Sequence, residues 1–272
     1  MGSHSGGQPQ SPVDPLASGG WWAAKKRVTS VAFSYSQTFD SLASAGAANV
    51  WADDSTLPGW SLLNSTGASV PTYGTDTSST GAFRAFGDTG SGERALGSVA
   101  SGGVYFGSPP SGAVAGWIAV AFSNGTGAAL NGFTLNFNGE QWRNGGNTNA
   151  QTMLLEYGYG ASFGTVASWA APGGSFDFTS PVIGATTAAV PGNSAGLVSG
   201  LGSSVATTWA AGDTLWLRWV ERNDIGNDHG LAIDDLSFSV TAVPEPGTLA
   251  LMLAGLAAVA FVARRRACRT PT

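Results

Sequence analysis

The sequence predicts an all-β protein whose main domain is an antiparallel β-sandwich of the jelly-roll type. Apolar and polar residues alternate in short runs along residues 31–242, and clusters of Gly, Asn, Ser and Pro separate these runs. Such alternation indicates half-buried strands, and many short strands between turn signals are typical of sandwiches. Before residue 243, no segment shows the 3.6-residue apolar spacing of an amphipathic helix.

The strongest alternation predicts strands at residues 33–35, 81–86, 114–122, 133–137, 153–159, 215–219 and 231–240. The last strand changes parity along its length, because the apolar residues Ile233 and Leu236 are three positions apart, which is an odd offset. A β-bulge at Asp234 and Asp235 would return both apolar side chains to one face, so we expect a bulge there.

Composition excludes several classes of protein. Only 11% of the residues are charged and 43% are hydrophobic, which argues against a coiled coil and against disorder driven by charge. The net charge of −5 makes nucleic-acid binding by phosphate neutralisation unexpected. Residues 28–242 hold 15 acidic and 5 basic side chains, while the other basic residues lie near the two ends. An acidic body with a basic tail is typical of export with a membrane anchor.

The C-terminal segment, residues 243–272, has three parts in a fixed order. A proline-containing segment comes first, an uncharged segment of residues 248–263 follows, and a basic cluster ends it. The residues of this signal that flank the uncharged segment are Val243, Pro244, Glu245 and Pro246 at one end and Arg264, Arg265 and Arg266 at the other. As a helix, residues 248–263 would span about 24 Å against a hydrocarbon core of ~30 Å. Because basic residues follow directly, we predict one transmembrane helix here; a buried core helix is the alternative.

This order closely resembles the PEP-CTERM sorting signal of exported bacterial proteins. The resemblance implies anchoring in the inner membrane, then cleavage near the proline motif by an exosortase-type protease. It further implies delivery to the cell envelope or to the extracellular matrix and its polysaccharide. A signal peptide is also implied, but the apolar run after Arg27 is too short for one. We therefore expect a misplaced start codon or a truncated form, with residues 1–30 disordered.

The body, residues 31–242, resembles a recurrent exported bacterial β-domain, through residues 39–42, 57–60, 139–143 and 230–236. Residues 232–236 also look like the last strand of concanavalin-like and MAM-type jelly rolls. In some relatives, an aspartate of this strand helps to hold a structural calcium ion beside the N-terminal strand. The resemblance implies Asp234 or Asp235 for that role, with Asp40 as a neighbour, and it implies no activity.

Oxygen ligands are also concentrated between residues 218 and 235. Asp224, Asp228, Asp234 and Asp235 are candidate ligands, since Ca²⁺ prefers hard oxygen donors. The alternative is turn chemistry with an ion pair to a nearby arginine, either Arg218 or Arg222. The sequence leaves both interpretations open.

Three tryptophans are candidates for carbohydrate binding. Trp51 and Trp60 flank a Pro-Gly turn, and Trp142 shares one strand face with Glu140. Exposed indole rings would form a stacking surface for sugars, whereas buried rings would belong to the core. For Trp142 the favoured interpretation is a strand end that caps the core, with Glu140 paired to an arginine.

We expect no catalytic activity. The glutamates of the body show no paired spacing of the glycosidase kind, no Gly-x-Ser-x-Gly segment stands out as a nucleophile motif, and no phosphate loop is present. The alternative is a metal-dependent hydrolase that uses Asp224, Asp228, His229 and Asp234, since His229 is the only histidine of the body.

Overall fold

The computed structural model describes residues 25–242, together with residues 252, 254–257, 259–260 and 264. Within residues 25–242, strands alternate with loops, and three single turns of 3-10 helix are the only helical elements. The strands are β1 (Lys26–Val28), β2 (Ser34–Gln37), β3 (Asn49–Val50), β4 (Trp60–Asn64), β5 (Thr72–Tyr73), β6 (Ala82–Phe86), β7 (Ala95–Val99), β8 (Val114–Asn124), β9 (Leu130–Asn144), β10 (Thr152–Tyr159), β11 (Phe178–Thr179), β12 (Ala188–Ala189), β13 (Leu197–Trp209), β14 (Thr214–Arg222) and β15 (Gly230–Ala242).

Two large sheets account for nearly all of these strands. Sheet A has the order β1-β8-β14-β10-β11, and β4 also pairs with β8. Sheet B has the order β12-β9-β15-β7-β6. In addition, β13 pairs with β9, and β2 pairs with β15. Neighbours run antiparallel except at the β1–β8 edge. The all-β prediction is confirmed, and the jelly-roll topology stays a prediction.

The two sheets meet through their apolar faces. On β9, Phe133, Leu135 and Phe137 are buried at every second position, as the two-residue period of a strand requires. The same alternation is found on β14 of the other sheet, where the buried side chains are Leu215, Leu217 and Trp219. Both sets of side chains belong to one continuous hydrophobic core. The alternation of the sequence therefore selects the faces that pack together.

Aromatic rings join the sheets at the centre of this core. Trp219 of sheet A stacks on Trp60 with 5.8 Å between ring centroids and meets Phe137 of sheet B edge-on at 5.5 Å. Phe122 of sheet A and Phe238 of sheet B are stacked with centroids 3.9 Å apart. Such pairs add to the free energy gained from burying their surface.

The predicted β-bulge lies where the sequence places it. The pairing register of β15 with β9 shifts between Asp234 and Ser237, and Asp235 has a φ of +47°. Ile233 before the shift and Leu236 after it both face the core. The extra residue thus keeps one apolar face along the strand, and the prediction is confirmed.

Each of the two predicted terminal segments lies only partly within the described residues. Residues 1–30 are predicted as disordered, but Lys26–Val28 pair with β8 and Val28 is fully buried, so the body begins before residue 31. The predicted transmembrane segment, residues 248–263, lies partly outside the described residues. Those described there are helical, and no helix among the described residues is long and apolar enough to cross a membrane.

Truncation of Trp219 tests the central packing. We expect Trp219→Ala to lower the free energy of unfolding by about 3–5 kcal/mol, because it leaves a cavity between the sheets. Val104→Ala, at an exposed apolar position, should change it by no more than about 0.5 kcal/mol. Denaturant unfolding of both variants measures the difference. Equal effects would mean that Trp219 does not join the sheets.

Candidate metal centre

An acidic group lies on the outer face of sheet B, opposite the core. Glu140 and Trp142 share this face of β9, as the sequence predicts, and Asp234 lies on the same face of the neighbouring strand β15, where Ala232 is opposite Glu140. Glu93 comes from the turn between β6 and β7. Two strands and one turn therefore bring the group together.

The three carboxylates converge closely. One oxygen atom from each of Glu93, Glu140 and Asp234 lies within 4.8 Å of the others. In the part of the chain that the structure describes, no other three Asp, Glu, His or Cys side chains converge to this degree. Glu140 is 1% exposed and Asp234 is 3% exposed, so the site lies below the surface.

Apolar packing covers the group from outside. Trp142 stacks on Phe86 with 6.4 Å between ring centroids, and both pack against Ala232. A loop before β13 crosses over Trp142 so closely that a Cβ atom at Gly192 would collide with the indole ring. This second layer on an outer sheet face explains why the carboxylates are shielded from water.

Only some of the carboxylate oxygens have hydrogen-bond partners. The indole N–H of Trp142 donates to Glu140 at 2.8 Å, and the amide of Asn193 donates to Glu93 at 2.5 Å. One oxygen of Asp234 and one of Glu93 are buried and have no partner among the described residues. Buried polar atoms without partners are uncommon and costly in folded proteins.

Burial and mutual repulsion disfavour the charged forms of this group. Desolvation, reinforced by the neighbouring carboxylates, raises the pKa of Glu140 to about 7 and that of Asp234 to about 9. The nearby arginine, Arg94, donates to the carbonyl oxygen of Ser91. The predicted arginine partner of Glu140 is therefore replaced by Trp142.

The predicted calcium ligands do not form one site. Asp234 belongs to the converging group, but Asp40 accepts the backbone N–H of Arg94 at 3.0 Å. Asp235 is exposed at the bulge and accepts the amide of Asn138 at 3.0 Å. Asp40 and Asp235 thus lie beside the group and accept hydrogen bonds from residues next to it.

Sequence patterns did not indicate Glu93 as a ligand, because only the fold brings it close to Asp234.

The remaining predicted ligands lie at the other end of β15. Asp228 accepts the backbone N–H of Asp224 at 2.7 Å, and Nδ1 of His229 accepts the N–H of Gly145 at 3.0 Å. His229 and Asp234 are five residues apart along an extended strand, which corresponds to about 16 Å. The four residues of the hydrolase alternative therefore do not converge.

Glu221, on β14, is a further buried acid close to these residues. It accepts a hydrogen bond from the hydroxyl of Ser98, and burial raises its pKa to about 8. Glu221 and His229 line a cavity of about 10 Å³, which has room for roughly one water molecule. A polar cleft of about 320 Å³ lies next to it, lined by Asp228 and Arg143 among others.

The predicted arginine partners of the aspartates have other roles. Arg218 forms an ion pair with Glu156 at 2.6 Å, and its guanidinium lies 3.8 Å from the ring centroid of Trp169. Arg222 contacts the carbonyl oxygen of Gly112 at 3.5 Å.

The three tryptophans proposed for sugar stacking are all buried. Trp51 is 3% exposed, Trp60 is fully buried and Trp142 is 3% exposed. Their indole N–H groups donate to Asp53, Tyr35 and Glu140, each at 2.8 Å. They form core contacts, and the exposed row needed for sugar stacking does not exist at these positions.

Partly exposed aromatic rings occur elsewhere, on the outer face of sheet A. We call this the aromatic patch; it consists of Trp117, Phe163 and Trp169, gathered around Arg218. Phe163 lies 5.4 Å from Trp117 and 5.1 Å from Trp169 between ring centroids. In the sequence, Trp216 and Arg218 are two residues apart, which indicates that they share one face of a strand. Phe163 and Trp169 lie between β10 and β11, in a segment without strand periodicity, so the sequence does not indicate that they join this patch.

Comparison with known proteins identifies the tail. Residues 242–266 match the PEP-CTERM protein-sorting motif. None of the curated proteins compared with the chain matches it. The chain therefore carries the sorting signal of exported proteins that an exosortase processes, joined to an all-β body.

Glu221 gives the body a defined dependence on pH. Its pKa is raised in the folded state above the ordinary value of ~4.3, so its contribution to stability is complete below about pH 4 and is lost as the pH rises towards 8. We expect Glu221→Gln to reduce that loss by an amount on the order of a few kcal/mol.

Denaturant unfolding between pH 4 and pH 8 measures this difference. The control is Asp213→Asn, which changes an exposed carboxylate in a turn and should leave the slope unchanged. If Glu221→Gln and the unaltered protein lose stability in parallel, Glu221 is not held neutral in the fold.

Proposed function

We propose that this protein is an exported, non-catalytic β-sandwich protein that an exosortase releases from the inner membrane to the cell envelope or the extracellular matrix. The sorting motif carries the proposal, because it begins at Ala242, the residue at which β15 ends. Cleavage near Val243–Pro246 would therefore remove no strand of the described body. The anchor at residues 248–263 and the basic residues after it belong to the stage before cleavage.

A role without catalysis is supported by the geometry of the candidate groups. The hydrolase alternative needs Asp234 beside His229, and these residues lie about 16 Å apart along the extended chain at the start of β15. His229 and Glu221 line a cavity with room for roughly one water molecule, which is too small for a substrate. The neighbouring cleft of about 320 Å³ is lined by Asp228 but by none of the other three residues of the hydrolase alternative. The acidic body also favours partners other than nucleic acid.

Sorting is tested with the full chain, expressed behind an export signal in bacteria with and without an exosortase. We expect exosortase-dependent shortening near residues 243–246, with loss of a C-terminal tag, measured by immunoblot and intact mass. A combined substitution, Pro244→Ala, Glu245→Ala and Pro246→Ala, should leave the chain uncut in the membrane fraction.

A matched control substitutes three residues beyond the basic cluster: Thr270→Ala, Pro271→Ala and Thr272→Ala. This variant should be processed as the unaltered chain is. Shortening of the proline-motif variant, or an uncut unaltered chain in the presence of the exosortase, would contradict the proposal.

Association with matrix polysaccharide is part of the proposal, and the aromatic patch supports it. Trp117, Phe163 and Trp169 are each partly exposed, and they lie beside the Arg218–Glu156 ion pair. Aromatic rings bind the apolar faces of sugars, while charged groups hydrogen-bond to hydroxyl groups. We therefore propose the aromatic patch on sheet A as the surface for carbohydrate contact, in place of the three buried tryptophans.

Binding to immobilised bacterial exopolysaccharides tests this surface. We expect Trp169→Ala to weaken binding of the full chain by about tenfold, which corresponds to about 1.4 kcal/mol. Ile225→Ala, at an exposed apolar position on a different loop, should bind as the unaltered chain does. Equal binding by all three proteins would remove the aromatic patch from the proposal, without bearing on sorting.

A further inference from the structure

We propose that Glu93, Glu140 and Asp234 bind a hard divalent cation, Ca²⁺, which fastens the β6–β7 turn to the outer face of sheet B. This ligand set retains Asp234 from the set that the sequence predicts. Glu93 and Glu140 are the two further ligands. The other members of the predicted set are not ligands of this site: Asp40, Asp224, Asp228 and Asp235. The inference concerns the stability of the body and does not depend on how the tail is processed.

Unpartnered oxygens are the first argument. Asp234 is 97% buried, and one of its carboxylate oxygens has no hydrogen-bond donor among the described residues, as is also true of one oxygen of Glu93. An oxygen without a donor loses its hydration on folding and gains nothing in return. A cation placed between the carboxylates would satisfy both oxygens with one bond each.

Uncompensated charge is the second argument. Three carboxylates within 4.8 Å repel one another, and Asp235 and Asp88 add further negative charge to the surroundings. Both ion pairs found within the described residues, Arg84–Asp76 and Arg218–Glu156, lie outside this group. Buried like charges persist only when they are neutralised by protons, by basic groups or by a metal ion.

The choice of ion follows from the ligands. All three side chains offer hard carboxylate oxygens, and no sulfur or imidazole belongs to the group, which disfavours soft metals. Ca²⁺ takes about 6–8 oxygens in flexible geometry, whereas Mg²⁺ needs near-ideal octahedral geometry and retains its water. A mostly dry site assembled from two strands and a turn fits Ca²⁺ better.

Thermal unfolding of the full chain in EDTA and in millimolar CaCl₂ is the first test. An ion that binds only the folded state should raise the melting temperature, by about 5–10 °C at one hundred times the dissociation constant. Glu140→Gln and Asp234→Asn should abolish this rise. In EDTA, both variants should melt no lower than the unaltered protein, because each amide replaces a carboxylate whose charged form is disfavoured by burial and by the neighbouring carboxylates.

Two further variants keep the test specific. Glu93→Gln changes the partly exposed ligand on the turn, so it should lose the calcium-dependent rise with little risk to folding. Asp224→Asn, in the loop before β15, is the matched acidic control and should retain the whole rise. Magnesium at the same concentration should give a smaller shift than calcium.

Terbium provides a spectroscopic test of the position of the ion. Tb³⁺ replaces Ca²⁺ in oxygen sites and emits when a nearby indole is excited, and Trp142 is hydrogen-bonded to the ligand Glu140. We expect sensitised emission that excess Ca²⁺ quenches and that Trp142→Phe weakens severalfold. No melting shift with Ca²⁺, or an equal shift in the ligand variants and the Asp224→Asn control, would overturn the proposal.

Discussion

The burial of both faces of the β9–β15 pair around Glu140 and Asp234 is the constraint on which the rest of the structure depends. Their inner faces form the core with sheet A, and β7, β2, β12 and β13 attach along their edges. A strand with a strict two-residue period cannot keep one apolar face if its sequence changes parity. The bulge at Asp235 resolves this conflict, and the same bulge fixes where the Asp234 side chain emerges on the outer face.

A second apolar layer on that outer face then gives the acidic group its character. Trp142 and Phe86 exclude water from Glu140 and Asp234, so these carboxylates are perturbed by desolvation as well as by one another. Glu221, on β14 of sheet A, is likewise buried, with Ser98 as its only donor within the described part of the chain. Since no basic side chain forms an ion pair with these acids within the described residues, protons or cations have to neutralise them.

The sorting motif and the body meet at the last residue of β15. Since β15 lies inside sheet B, it has neighbours on both sides as far as Ser239, and β9 alone pairs with it from Val240 to Ala242, where the signal begins. Processing near residues 243–246 would thus leave the core intact. The division between a removable signal and a stable body agrees with an exported protein whose mature form is the sandwich.

The sequence by itself determined the all-β class, the bulge at Asp234 and Asp235, the shared face of Glu140 and Trp142, and the sorting tail. Each of these depends on neighbouring residues, through strand periodicity or a contiguous motif. Only the tertiary structure decided which tryptophans are buried, that Lys26–Val28 join sheet A, and that Glu93 reaches Asp234. Periodicity shows which side chains share a face, but it carries no information on whether a loop such as that around Gly192 covers that face. Contacts between distant segments depend on strand order and loop path, which local spacing does not encode.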